Sequence, residues 1–95
     1  MPRILVVEDD AALRLFIEHV LLYAGYEVDT TGTMSGGSNL VRCHRYDLVL
    51  SDVKLPDGNG LEVADLAGEK GTKALMITGH AFTLPPGRTR DMNFY

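Results

Sequence analysis

Two short apolar stretches that end in acidic residues constrain the fold more than any other feature of the sequence. Residues 4–7 lead directly into Glu8, Asp9 and Asp10, and residues 47–51 lead into Asp52. Short runs rich in Val and Leu are typical of strands buried on both faces of a parallel sheet. Because the working crevice of such a sheet lies beyond the carboxyl ends of its strands, neighbouring strands would bring Glu8, Asp9 and Asp52 together.

This acidic group predicts a metal site. Three carboxylates that lie close together cannot all stay ionised without a compensating cation, so we expect a site built from oxygen ligands. The alternative for Glu8 and Asp9 is a cluster of solvated acids at a helix start, and for Asp52 a plain acid at a strand end. Asp10 is the expected N-cap of the helix that follows.

Length and charge narrow the function classes. A chain of 95 residues is one domain at most. The net charge of -4 argues against nucleic acid as a direct partner. Cys43 is the only cysteine, which leaves no disulfide framework and favours a reducing compartment. Neither a signal peptide nor an apolar run of the roughly 20 residues that span a bilayer is present, so we expect a cytoplasmic domain without membrane contact.

Predicted strands alternate with predicted helices, which indicates βαβ units and a doubly wound α/β sheet. We expect strands at 4–7, 26–30, 47–51 and 73–78, helices at 11–24, 38–44 and 61–69, and loops at 32–37 and 53–60. One face of the first helix carries apolar side chains at helical spacing, which predicts its core face. These side chains belong to Leu13, Phe16, Ile17, Val20, Leu21 and Ala24.

The stretch after Thr78 is poorly specified. Leu84-Pro85-Pro86-Gly87 would break a helix begun at His80, and no further strand is predicted. The strand at 73–78 would then be an exposed apolar sheet edge, which a native domain normally covers. We therefore expect a single domain, residues 1–95, that is incomplete at its C-terminal end, with a segment missing, disordered or exchanged in a homodimer.

Three signals together identify a resemblance. They are the strand that ends Val7-Glu8-Asp9, the loop from Lys54 to Gly60 behind Asp52, and Ile77-Thr78-Gly79 at the end of the next long strand. With this order and spacing, the chain resembles the receiver domain of two-component response regulators. The resemblance implies a flavodoxin-like sheet with strand order 2-1-3-4-5, in which the last strand and helix would be absent or disordered.

The resemblance also implies roles for individual residues. Asp52 would be the phosphoacceptor that takes a phosphoryl group from a phosphohistidine in a histidine kinase or phosphotransfer protein. Mg²⁺ would be held by Glu8, Asp9, Asp52 and the backbone carbonyl of Lys54. The Thr78 hydroxyl would bond the phosphoryl group, while Gly79 would leave room for the donor. Lys54 and His80 would modulate how fast water removes the group. The chain would modify itself and hydrolyse slowly, so it would not be an enzyme in the usual sense.

Partner docking would fall on the first helix. Leu15, Glu18 and Leu22 are the candidates for contact with the kinase or phosphotransfer bundle, because Leu15 and Leu22 lie off the predicted core face. Ordinary half-buried positions are the alternative for both leucines.

Departures from the family pattern keep two rivals open. The family's Lys after the fifth strand would fall shortly beyond Tyr95, and Phe94 or Tyr95 would be the candidates for its aromatic switch residue. One rival is a pseudo-receiver, an interaction module that is not phosphorylated. The other is a hydrolase with an aspartyl phosphate intermediate, which would need an Asp where Lys54 stands.

Overall fold

A computed structural model describes residues 1–78 and 81–83 as a twisted sheet with helices on both faces. Stretches with the apolar pattern of a strand alternate along the sequence with stretches that have the apolar pattern of a helix. Strands and helices accordingly alternate through most of this part. The elements are β1 (Arg3–Val7), α1 (Ala11–Tyr23), β2 (Glu27–Thr31), α2 (Met34–Cys43), β3 (Leu48–Asp52), β4 (Lys54–Leu55), β5 (Gly58–Asn59), α3 (Gly60–Glu69), β6 (Lys73–Thr78) and β7 (Ala81–Thr83).

The main sheet has the strand order β2-β1-β3-β6-β7. β2, β1, β3 and β6 are parallel, which confirms the predicted doubly wound sheet and the order of its first four strands. The expectation that β6 would be an open edge is wrong, because β7 pairs antiparallel with it, with Thr78 opposite Ala81. Antiparallel strands can be joined by a very short connection, and a strand of three residues is too short to show a periodicity in the sequence.

Helix α1 begins at the predicted residue and ends at Tyr23, one residue before the predicted end. Asp10 is its N-cap, and its Oδ1 accepts hydrogen bonds from the amides of Ala12 and Leu13 at 2.9 and 3.1 Å. Gly25 follows the helix with a φ of 98°, a conformation that glycine adopts without strain. These contacts are local, which is why both limits could be predicted.

Helix α2 differs from the prediction at its start. It begins at Met34 rather than at residue 38, so the predicted loop at 32–37 is wrong over its last four residues. Thr33 caps the helix, and its Oγ1 accepts from the amide of Gly36 at 3.0 Å. Gly36 and Gly37 are weak helix formers, so the sequence pattern favoured a loop where capping and tertiary contacts produce a helix.

The predicted loop at 53–60 contains a small hairpin. Lys54 pairs with Asn59 and Leu55 with Gly58 in β4 and β5. Helix α3 follows at Gly60, with Asn59 as its N-cap. We call residues 53–59 the acceptor loop, because they connect Asp52, the expected phosphoacceptor, to α3.

Alternating strand residues divide the core between the two faces of the sheet. Leu5 and Val7 belong to the larger cluster, which includes residues of α2 and α3. Ile4 and Val6 belong to a smaller cluster, against which Ile17 and Leu21 of α1 pack.

The predicted core face of α1 is mostly wrong. The helix has no buried residue, and Phe16 and Val20 are 65% and 50% exposed. Leu13 and Ala24 are exposed as well. Among the described apolar side chains of α1, Ile17 and Leu21 pack on the smaller core cluster. A helical period does not give the width of such a contact. None of the described helices is long and apolar enough to cross a membrane.

Candidate metal and phosphoacceptor site

Strand register brings three carboxylates to one end of the sheet. β1 and β3 are adjacent and parallel, with Val7 opposite Ser51. The next residue on each strand is therefore Glu8 or Asp52, and Asp9 follows Glu8 directly. One carboxylate oxygen from each of Glu8, Asp9 and Asp52 lies within 4.8 Å of the other two. The two acidic strand ends that stand out in the sequence form one cluster.

Glu8 is the most constrained member of this cluster. Its side chain is only 2% exposed. Its amide donates to the Thr31 carbonyl at 3.0 Å, and its own carbonyl accepts from Arg14 Nη1 at 2.8 Å. Oε2 accepts from the Asp10 amide at 3.0 Å, whereas the buried Oε1 has no hydrogen-bond partner among the described residues.

The crowded carboxylates disfavour ionisation of Glu8. Burial, together with the nearby charge of Asp52, raises the pKa of Glu8 to about 7, and the bond from the Asp10 amide offsets only part of that. A buried, unpartnered carboxylate oxygen beside two further carboxylates is the arrangement that a cation would stabilise. The donor set is all oxygen and suits a hard divalent ion such as Mg²⁺.

Close backbone packing holds Asp52 and the acceptor loop together. The Val53 amide donates to the Ile77 carbonyl at 3.3 Å, and the Gly60 amide donates to the Val53 carbonyl at 2.8 Å. A Cβ at Gly60 would lie 1.9 Å from the Asp52 carbonyl oxygen, so no other residue fits there without a backbone shift. The loop therefore closes directly against the backbone of Asp52.

The structure describes some of the other candidate residues, while others lie outside the described part of the chain. Lys54 is exposed and begins β4, two residues after Asp52. Thr78 is the last residue of β6, the strand next to β3, but its hydroxyl, Gly79 and His80 lie outside the described part of the chain. On α1, Leu15 and Leu22 are 51% and 48% exposed, and Glu18 is half-buried. Phe94 and Tyr95 also lie outside the described residues.

The sequence did not indicate two contacts, one made by the acceptor loop and one by Gly60, the residue that follows it. Gly60 was treated only as a loop residue, although its lack of a side chain lets α3 start against Asp52. Asp57 was likewise placed only within the predicted loop at 53–60, although both of its carboxylate oxygens accept hydrogen bonds from amides at the start of α2. The Asp-Gly-Asn-Gly run was the available signal for a tight connection, but nothing local indicates which helix Asp57 would reach.

Comparison with known families and proteins agrees with this geometry. Residues 4–84 match the model of the response regulator receiver domain. The response regulator ArlR of Staphylococcus aureus is 36% identical over 84 residues, which are 87% of this chain and 38% of that protein. The chain thus spans well under half the length of the curated relatives it matches.

Solved structures show the same arrangement of strands and helices. A CheY-like receiver domain protein from Methanospirillum hungatei JF-1 matches with a TM-score of 0.79 and 36% identity, over 85% of this chain and 66% of that one. TrrA of Thermotoga maritima, solved in complex with Mg²⁺-BeF, matches with a TM-score of 0.76 and 31% identity, over 97% of this chain and 77% of that one. The family match, the sequence identity and the shared fold together show that the chain belongs to the response regulator receiver domain family.

Proposed function

We propose that the chain accepts a phosphoryl group on Asp52 from a phosphohistidine, with Mg²⁺ bound by the carboxylates beside it. The observation that carries the proposal is the cluster of Glu8, Asp9 and Asp52 at the carboxyl end of β1 and β3, with one buried carboxylate oxygen left unpartnered. The structure of TrrA with Mg²⁺-BeF gives further support from a relative. The reaction would belong to a phosphorelay in the cytoplasm.

The chemistry follows from the positions of the chain's own residues. An Asp52 carboxylate oxygen attacks phosphorus, the phosphorus–nitrogen bond of the phosphohistidine breaks, and its electron pair returns to the imidazole nitrogen. Glu8, Asp9, Asp52 and the Lys54 carbonyl would hold the ion. When bound, Mg²⁺ supplies positive charge that offsets the charges of the carboxylates and the phosphoryl group. Glu8 and the acceptor loop fix the direction from which Asp52 meets the donor.

The partner would be a histidine kinase or a histidine phosphotransfer protein. Leu15 and Leu22 are exposed on α1, the helix that follows Glu8 and Asp9 in the chain, and Glu18 lies between them. A donor bundle that docks on these side chains would present its phosphohistidine near Asp52. In this proposal Asp52 is phosphorylated and later returned to its free form by hydrolysis. The chain itself is the acceptor, and it does not convert a separate substrate.

Intact mass after incubation with acetyl phosphate or phosphoramidate and Mg²⁺ tests the proposal. We expect the wild type to gain about 80 Da, the mass of one transferred phosphoryl group, and Asp52→Asn to gain nothing. Asp47→Asn is the matched control, because Asp47 is an exposed acid just before the same strand. Chelation of the metal should abolish the gain. A wild-type protein that binds Mg²⁺ but never gains mass would instead indicate an interaction module that is not phosphorylated.

A further inference from the structure

Helix α2 depends on residues outside itself for its order. Its sequence contains Gly36, Gly37, Ser38 and Asn39 in succession, and all four are weak helix formers. The helix also packs very closely on the sheet, since a Cβ at Gly37 would lie 2.9 Å from a methyl carbon of Val7. A short helix of this composition is formed mainly by tertiary contacts.

The strongest of these contacts at the N-terminus comes from the acceptor loop. Asp57 Oδ1 accepts from the Met34 amide at 2.7 Å, and Oδ2 accepts from the Ser35 amide at 2.9 Å. Thr33 satisfies the next free amide, that of Gly36. Asp57 therefore serves two of the amides that a helix start leaves without partners. These bonds from Ser35 and Met34 lower the pKa of Asp57, so its carboxylate stays charged at neutral pH.

A second charged residue holds the other end of α2. Lys70, just after α3, donates from Nζ to the carbonyls of Val41 and Arg42 at 2.5 and 3.1 Å. The carboxylate thus lies at the N-terminus of α2 and the ammonium group at its C-terminus, which are the favourable ends for each charge. Asp57 belongs to the acceptor loop and Lys70 does not, so the two contacts can be separated by mutation.

A short hairpin connects Asp57 to the proposed metal site. It lies in the two-residue turn of the β4–β5 hairpin, in which Lys54 pairs with Asn59. The same hairpin leads into Gly60, which contacts the Asp52 carbonyl. Within this short span, one end of the acceptor loop is fixed on Asp52, and the turn is fixed on α2.

We propose that Asp57 is a positioning residue, which holds the acceptor loop on the N-terminus of α2 and so orders the Lys54 carbonyl and Asp52 for the metal. This inference rests on the proposed function. Because coupling between two sites is reciprocal, Mg²⁺ binding also orders the start of α2. The metal-loaded and metal-free chains then differ at α2, a helix that contributes no metal ligand.

Mg²⁺ affinity gives the first test, with wild type, Asp57→Ala and Lys70→Ala compared by isothermal titration calorimetry. We expect Asp57→Ala to weaken binding by roughly tenfold, the lower end of what loss of a partner behind a metal ligand costs. Lys70→Ala loosens the same helix from its other end and should leave the Kd within about twofold of wild type, as expected of a residue outside the loop. Should Asp57→Ala not fold, Asp57→Asn keeps one acceptor oxygen and should give an intermediate loss.

Amide hydrogen exchange, followed by NMR, gives a test that needs no metal. In the metal-free protein, Asp57→Ala should speed exchange at Val53 and Gly60, whose amides bond within and beside the loop. Lys70→Ala should leave both amides as protected as in wild type. Addition of Mg²⁺ should slow exchange at Met34 and Ser35 in wild type, and should do so much less in Asp57→Ala.

The outcomes separate this inference from the proposed function. In one outcome the wild type binds no Mg²⁺, but the amides of the acceptor loop are still protected from exchange only when Asp57 is present. That outcome would overturn the proposed function and support the role of Asp57 in holding the loop on α2. Unchanged affinity and unchanged loop exchange in Asp57→Ala would overturn the inference and leave the proposed function standing. An equal loss of affinity in Lys70→Ala would also overturn it, because the effect would then come from α2 in general.

Discussion

Glu8 is a buried acid with one carboxylate oxygen that has no hydrogen-bond partner among the described residues. An acid that is almost fully buried beside Asp52 gains no ion pair in the described structure. Its pKa is raised to about 7, mainly because burial disfavours its charged form. In the metal-free fold the charged form of Glu8 is therefore unfavourable. A bound cation would stabilise that charged form.

Replacement of Glu8 by Gln should stabilise the metal-free protein at neutral and alkaline pH. Between about pH 4.5 and pH 7 the folded protein holds a proton that the unfolded chain has released, so stability falls as pH rises through that window. Glu8→Gln should flatten this part of the pH profile, as measured by urea unfolding at several pH values without metal. It should also abolish stabilisation by Mg²⁺.

Glu27→Gln is the control for this measurement, because Glu27 is exposed at the start of β2. It should leave the pH profile and the response to Mg²⁺ as they are in wild type. A metal-free wild type whose stability does not fall over this pH range would contradict the account of Glu8.

Residue roles at the strand ends could be anticipated, whereas long-range partners could not. The positions of Glu8, Asp9 and Asp52 follow from two strand patterns and one rule about parallel sheets. Arg14, which bonds the Glu8 carbonyl, and Asp57, which bonds α2, gave no signal of their own. Both are ordinary surface residue types, and their partners lie 6 and 23 positions away along the chain.

At the scale of elements, α2 is where local propensity and tertiary packing disagree. Two adjacent glycines suggested a loop, but they are what lets the helix approach the sheet. A Cβ at Gly36 would lie 2.2 Å from Thr31 Oγ1, and one at Gly37 would meet both Val7 and Val63. The sequence could therefore predict that an element lies here, but not its first turn.

Gly37→Ala should destabilise the protein although it improves helix propensity. The propensity gain is about 1 kcal/mol. Against it stands the overlap of the new methyl group with Val7 and Val63, both fully buried, and overpacking of this kind costs about 1–3 kcal/mol. We expect a net loss of about 1 kcal/mol in the free energy of unfolding, measured by urea titration.

Asn39→Ala separates propensity from packing in the same helix. Asn39 is exposed, so Ala gains about 0.5 kcal/mol of propensity there without overlap. If Gly37→Ala stabilised the protein as Asn39→Ala is expected to, α2 would not approach the sheet as closely as described.

At the scale of the whole molecule, the described residues form core clusters of unequal size on the two faces of the sheet. The α2–α3 face holds the larger cluster, with Leu5, Val49 and Val63 fully buried. The α1 face holds Ile4, Val6 and Leu50, with partly buried side chains around them. Strand periodicity predicted which residues point to each face, but it carries no information about how much of a face is covered by the next layer.

This inequality predicts unequal costs of truncation on the two faces. Leu5→Ala should lower the free energy of unfolding by about 3 kcal/mol, because it leaves a cavity in the larger cluster. Phe16→Ala removes a bigger side chain, but one that is 65% exposed on α1, and should cost less than about 1 kcal/mol. The two losses are measured by urea unfolding of both variants. The measurement is made at a low and at a high protein concentration, because a contact between copies would depend on concentration. A loss at Phe16 that equals the loss at Leu5 would show that the apolar side of α1 is covered in solution, and the core would then extend beyond the two clusters described.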